Sequence, residues 1–324
     1  MMTPLRAGGV VGLSTILLLA GCGGSEESSA SKPPNPVSGT GSASESAGEL
    51  AVAASFYPLQ WLTVQLGGDR VTVSSLTGSG VEPHDLELTP RDVATLGQAD
   101  LVVYLSGFQP AVDEAVEQQS AETPFDAAES AQLTLTYTPI EEGEEESAEA
   151  GAVDPHFWLD PMRLADVGDA LAARLGEVDP NGAATFTTNA RAVRAELATL
   201  DRELTEGLAS CAKREVVTSH NALGYLAEAY DLTQVGITGL TPEAEPSPGE
   251  LSAVTEFVRA NGVTTIYYET LVSPDIAATV ARETGAQTQV LDPLEGLTDA
   301  SQGADYLEVM RSNLGNLKAG QSCP

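Results

Sequence analysis

Histidine is scarce in this 324-residue chain, which carries three: His84, His156 and His220. Cysteine is equally scarce at three residues, too few for a small scaffold stapled by many disulfides. Basic side chains number 15 against 47 Asp and Glu, giving a formal net charge of −32. A chain this acidic repels a phosphate backbone, which excludes nucleic acid as a partner. The same field concentrates cations near the surface. Aromatic residues make up only 5% of the chain, and its body has no apolar run long enough to span a bilayer. Several compact signatures are also missing: His-Glu-x-x-His, Cys-x-x-Cys, a Gly-rich phosphate loop and a Gly-x-Ser-x-Gly nucleophile turn.

What is present begins with a leader. Arg6 precedes a short apolar core, Val10–Ala20, interrupted by Gly12 and Ser14 and followed by small residues. That is the pattern of an export signal, too short for a typical membrane span. Leu19-Ala20-Gly21-Cys22 resembles the lipobox of bacterial lipoproteins, in which the Cys becomes the first mature residue and carries the lipid. Residues 1–21 therefore read as a lipoprotein signal peptide. Residues 22–48 read as the lipidated Cys22 followed by a disordered tether rich in Ser, Gly, Ala, Pro and Glu. The expected location is the outer face of the cytoplasmic membrane, periplasmic or cell-surface, held by the lipid. Lipidation leaves Cys211 and Cys323, an even pair in an exported protein. A disulfide is the first reading and two free thiols the alternative.

From Leu50 onward strands alternate with helices. Leu50–Ser55, Val71–Leu76 and Leu101–Leu105 read as strands, and the alternation of Leu133–Tyr137 suggests another. Phe56–Leu66 and the segment opened by Thr89-Pro90 read as helices. A dense acidic run, Glu141 to Glu146, should be a solvated loop. Asp160-Pro161 caps a helix, and Asp179-Pro180 repeats that chemistry before the longest periodic segment. There Phe186, Ala190, Val193, Leu197, Leu200, Leu204 and Leu208 recur in steps of three and four. Beyond Cys211 the alternation resumes, with strands at Glu215–Ser219, Gln234–Ile237, Thr264–Tyr268 and Thr288–Leu291. The expected fold is α/β: two lobes with mostly parallel sheets, joined by one long rigid helix, with a metal site in the interlobe cleft. Residues 49–178 form the N-terminal lobe with an acidic loop at 140–152, residues 179–210 the linking helix, and residues 211–324 the C-terminal lobe.

In open α/β sheets, ligands bind beyond the carboxyl ends of the strands. His220, Glu269 and Asp292 each directly follow a strand, ending at Ser219, Tyr268 and Leu291 respectively. His84 lies in a Gly-rich loop after the strand ending near Leu76, and His156 in an irregular segment leading into a helix. Facing lobes would bring all three histidines together. Phe157 and Trp158 then read as packing residues that aim His156, and Asp160 as a helix cap. Three neutral imidazoles plus one oxygen suit tetrahedral Zn²⁺, whereas Mn²⁺ favours harder, oxygen-rich sites.

Four stretches carry a family resemblance: Gly80-Val81-Glu82-Pro83-His84-Asp85, Asp154-Pro155-His156-Phe157-Trp158-Leu159-Asp160-Pro161, Val217-Thr218-Ser219-His220 and Leu240-Thr241-Pro242-Glu243-Ala244-Glu245-Pro246-Ser247. In this order they resemble the motifs of zinc solute-binding proteins of ABC transporters, the cluster A-I metal-binding family. The resemblance runs from Glu49 to the C-terminus. It implies two α/β lobes on a long rigid helix, and a lipid-anchored or periplasmic protein, here expected to be monomeric. Such a protein delivers Zn(II) to the membrane subunit of an ABC permease. Carried over by position, His84, His156 and His220 are the nitrogen ligands. Asp292, in Leu291-Asp292-Pro293-Leu294, matches a frequent carboxylate ligand, with Glu82 or water as substitutes for that fourth position. In one respect the chain departs from many zinc members. Their loop before the second histidine motif is His-rich, whereas this one is acidic and holds no histidine, so it reads first as a solvated surface loop.

Three other readings compete: a manganese-binding protein of the same family, a zinc-dependent hydrolase, and a cell-adhesion protein that uses the metal structurally. A hydrolase needs an open coordination position and a placed acid or base. Glu269 is the one candidate for that role and reads better as an orienting or capping carboxylate. The expectation is a binding protein and not an enzyme.

Overall fold

The computed structural model describes residues 49–119, 124–140 and 149–324. The leader, Cys22, the tether and the Glu141–Glu146 run lie outside the described residues.

Two four-stranded sheets, every pairing parallel, carry the chain. The first contains β1 (Leu50–Ala54), β2 (Val71–Ser75), β3 (Leu101–Tyr104) and β4 (Phe125–Asp126) in the order β2-β1-β3-β4. The second contains β5 (Glu215–Thr218), β6 (Thr233–Gly236), β7 (Thr265–Tyr268) and β8 (Gln287–Val290) in the order β6-β5-β7-β8. The two orders are the same. In each, the chain reverses direction across the sheet at the central pair, β1/β3 and β5/β7, where a crevice opens at the strand ends. Leu101–Val103 and Val216–Thr218 are buried as continuous runs, as strands covered on both faces must be.

Helices α1 (Tyr57–Gly67), α2 (Pro90–Gln98), α3 (Pro110–Gln119) and α4 (Ala128–Ala131) accompany the first sheet. Thr89 caps α2 reciprocally with Asp92, as its Thr-Pro start requires. Between the sheets come α5 (Pro161–Val178) and α6 (Ala183–Leu208). The 26 residues of α6 span about 39 Å. Its seven periodic apolar residues, Phe186 to Leu208, are all buried. They pack against α5, α1 and α10 (Tyr306–Gly320), so one helix touches layers belonging to both sheets. The second sheet is covered by α7 (Gly224–Ala229), α8 (Pro248–Asn261) and α9 (Asp275–Thr284). One continuous hydrophobic cluster runs from Val52 and Val103 through Trp158 and Leu197 to Val216 and Tyr267. Cys211 and Cys323 form a disulfide that ties the end of the chain to the start of the second sheet's half.

Two elements differ from the sequence reading. Leu133–Tyr137 is not a strand; only Thr136 makes an isolated bridge, to Val153. Its alternation arises because Leu133 and Leu135 pack on the core while Thr134 and Thr136 face solvent. The fourth strand of the first sheet is instead the two-residue β4, too short to show periodicity. The long helix also begins at Ala183 and not at Pro180. Asp179 does not cap it: the carboxylate holds Arg70 at 2.5 and 2.8 Å and the Asn181 N–H at 3.1 Å.

Candidate metal centre

His84 sits in the loop after β2, where Gly80 takes a left-handed φ of 74° that most side chains would resist. Buried Gln109 fixes this loop by donating to the Pro83 carbonyl (3.2 Å) and the Thr77 hydroxyl (3.0 Å). The His84 ring stands edge-on to Phe108, centroids 4.6 Å apart.

His156 precedes a single 3₁₀ turn, Phe157–Leu159, and Asp160 then caps α5 by accepting from the Met162 and Arg163 N–H groups. Trp158 is fully buried; its Nε1 donates to the Pro293 carbonyl (2.8 Å), and the Trp158 carbonyl accepts from Tyr306 Oη (2.6 Å). Phe157 and Trp158 thus hold the turn that carries His156. His220 follows β5, and Glu269 follows β7, so the pair faces across the crevice between adjacent central strands.

The three histidines converge. His84 Nε2 and His220 Nε2 each lie 3.4 Å from His156 Nε2. The fourth member of the group is Glu295, fully buried, whose Oε1 lies 3.3 Å from His84, 3.1 Å from His156 and 3.2 Å from His220 at their Nε2 atoms. All four ligand atoms fall within 4.8 Å of one another. A tetrahedral ion with bonds of about 2.0–2.1 Å separates its ligand atoms by about 3.3–3.4 Å. Five of the six edges here measure 3.1–3.4 Å, so the cluster has the size of a zinc tetrahedron. Glu295 Oε2 is buried with no hydrogen-bond partner among the described residues, leaving that carboxylate aimed into the cluster.

Ring orientation is imposed from behind. Asp154 Oδ1 accepts from His156 Nδ1 (2.7 Å), and Glu269 Oε1 from His220 Nδ1 (2.6 Å). With Nδ1 donating, loss of the Nε2 proton would turn a lone pair to the centre, the arrangement that orients histidine ligands in metal sites.

Electrostatics agree with a cation-seeking centre. Burial alone would raise the Glu295 carboxyl, but the three surrounding histidines hold it well below the usual carboxylate range. Burial opposes charge on His220, yet Glu269 and Glu295 keep its imidazole well above the ordinary value. Likewise burial is outweighed at His156, where Asp154 and Glu295 raise the imidazole. His84 goes the other way, lowered by burial.

The expected fourth donors sit elsewhere. Asp292 is not in the group: its Oδ1 accepts from the Leu294 N–H (2.8 Å) and its Oδ2 from the hydroxyls of Thr270 (3.1 Å) and Ser301 (2.9 Å). Glu82 spends its carboxylate on the His84 and Asp85 N–H groups at 3.1 and 3.2 Å, and burial and nearby Glu295 push it up to about 7. Glu295 was missed because the strand-end rule stops at the first carboxylate, three residues earlier. A legible signal was there, a lone acid inside the apolar run Pro293-Leu294-Glu295-Gly296-Leu297.

Residues 52–320 match the family model described as zinc-uptake complex component A, periplasmic. The chain is 36% identical over 280 residues to the zinc-binding lipoprotein AdcA of Streptococcus pneumoniae, covering 84% of this chain but only 56% of that protein. It is 34% identical over 317 residues to the high-affinity zinc uptake system protein ZnuA of Bacillus subtilis, covering 93% of each. Among solved structures, the Zn(II)-bound ZnuA-like domain of S. pneumoniae AdcA superposes with a TM-score of 0.69 at 34% identity, over 85% of this chain and 99% of that one. The laminin-binding protein Lbp of Streptococcus pyogenes gives 0.72 at 32%, over 85% of this chain and all of that one.

Proposed function

This chain belongs to the ZnuA family of zinc-uptake components, and from that premise we propose that it is the extracytoplasmic zinc-capturing subunit of an ABC importer. It binds one Zn(II) as cargo and hands it to the membrane permease. The observation that carries this reading is the near-tetrahedral spacing of the three Nε2 atoms and Glu295 Oε1. In the same proposal His84, His156, His220 and Glu295 are the ligands. Residues 1–21 are the leader, Cys22 carries the lipid, and residues 22–48 are the tether. Residues 49–178 and 211–324 form the two lobes, 179–210 link them, and the mature protein is a monomer. Three imidazoles against one carboxylate favour zinc over manganese. Four protein donors leave no coordination position for an activated water, so zinc-dependent hydrolytic turnover is not expected.

Elemental analysis and competition with a chromogenic chelator, on protein lacking Met1–Cys22, test the reading directly. One zinc per chain is expected, with binding sharply weakened in His84→Ala, His156→Ala and His220→Ala. Equal zinc affinity in all three variants would overturn the ligand assignment. A second reading has its own observation, the structural likeness to laminin-binding proteins. On that reading the chain is also an adhesin, and zinc-loaded protein should bind immobilised laminin while the chelator-stripped form binds less.

A further inference from the structure

Asp292 does not join the metal cluster, yet it is 1% exposed and engaged on every side. Its carboxylate accepts from three donors: the Leu294 N–H through Oδ1, and the Thr270 and Ser301 hydroxyls through Oδ2. Its backbone is clasped by the side chain of Asn313 on α10, which accepts from the Asp292 N–H (3.0 Å) and donates to the Asp292 carbonyl (2.7 Å). The Asp292–Leu294 bond closes a side-chain turn over Pro293. Within it Leu294 takes a φ of 60°, in the left-handed region that a leucine enters only when its surroundings hold it there. Its side chain is fully buried in the main core. The next residue is Glu295.

The turn is also joined to two other donors. Thr270, which Asp292 grips, adjoins Glu269, the acceptor for the His220 ring. Pro293, which the turn encloses, accepts from Trp158, two residues beyond His156. Removing the Asp292 carboxylate would leave the buried Leu294 N–H and two part-buried hydroxyls without their acceptor, and would take away the bond that closes the turn at the left-handed Leu294.

We propose that Asp292 is a positioning residue: its turn aims the Glu295 carboxylate at the three imidazoles, and through that carboxylate it sets zinc affinity. This inference rests on the zinc-capture reading and deepens it. The family resemblance offered Asp292 as a ligand; here it acts one step behind the ligand.

The experiment is a double-mutant cycle on zinc affinity, measured by chelator competition, with Asp292→Ala and Glu295→Ala singly and together. Asp292→Ala should weaken zinc binding about 10–100-fold in the parent and change it by less than about 3-fold in the Glu295→Ala background. Asp292→Asn keeps an acceptor for the Leu294 N–H and should retain affinity within a few-fold. The Co(II) absorption spectrum of Asp292→Ala should shift toward that of Glu295→Ala. Ser301→Ala removes one donor and gives a milder loss in a variant expected to fold. Equal losses from Asp292→Ala with and without Glu295, alongside a lowered thermal midpoint in the metal-free protein, would show a merely structural role and overturn the proposal. If Glu295→Ala itself leaves zinc affinity unchanged, the ligand assignment fails. If Glu295→Ala weakens binding and Asp292→Ala does not, the positioning role alone fails.

Discussion

Glu269 Oε1 holds His220 twice, accepting from its backbone N–H at 3.1 Å and from its ring Nδ1 at 2.6 Å. Asp154 Oδ1 treats His156 the same way, at 2.9 and 2.7 Å. One oxygen thus locks both the backbone and the ring of each histidine, leaving little freedom in the direction of Nε2. Glu269→Gln and Asp154→Asn should each weaken zinc binding by about 10–100-fold, since outer partners of histidine ligands commonly contribute that much. Chelator competition measures it. Loss of under twofold in both variants would show that the rings are held by packing alone.

Zinc should stabilise the fold by mass action, because the donors converge only when the chain is folded. At a free concentration about a thousandfold above the dissociation constant the gain is about 4 kcal/mol. Differential scanning calorimetry should then show a midpoint rise of several degrees. His220→Ala should abolish most of that rise. A variant lacking His220 that still gains the full increment would place the stabilising ion elsewhere.

The pH dependence should change sign with metal. In the metal-free chain, His156 and His220 are raised above the ordinary imidazole value and Glu82 is raised to about 7. Each raised group binds its proton more tightly when folded, so its stabilising contribution is complete below its unfolded value and is lost as pH rises through the folded value. The metal-free midpoint should therefore fall as pH rises from about 4.5 to about 7, where Glu82 loses its proton, and further above about 6.5, where the two imidazoles lose theirs. Zinc must displace the imidazole protons, so its affinity should rise with pH through the histidine range. Paired thermal scans with zinc and with chelator give both slopes. Parallel slopes would remove protons from the account.

The bridge between Cys211 and Cys323 joins residues 112 apart. Closing so long a loop typically contributes about 2–5 kcal/mol. Reduction should lower the unfolding midpoint without changing zinc affinity, because neither cysteine belongs to the metal cluster. Thiol counting on denatured, unreduced protein should find neither cysteine free.

Much of this site could be read from residue order because parallel α/β sheets place functional side chains at strand ends. His220 and Glu269 follow that rule, and a scarcity of histidine made each one conspicuous. The capping residues Thr89 and Asp160 were equally plain, since their chemistry is local. Glu295 was not, because its position depends on the left-handed Leu294, a conformation that a leucine does not announce. Asp179 misled for a related reason: a helix-capping sequence was captured by Arg70, 109 residues away. Leu133–Tyr137 alternates in burial but pairs only locally, with residues 151–154, and joins neither sheet.

The four donors are not equally restrained. His156 reaches Glu295 through Trp158 and Pro293, and His220 reaches it through Glu269, Thr270 and Asp292, so these three form a linked shell. His84 stands outside those links, on a glycine- and proline-bearing loop, with its ring resting against Phe108. Its loop is held instead by Gln109, through the Pro83 carbonyl and the Thr77 hydroxyl, so this donor is anchored independently of the other three. The site thus has two separate supports, and a substitution at Gln109 disturbs His84 while one at Thr270 disturbs the linked shell.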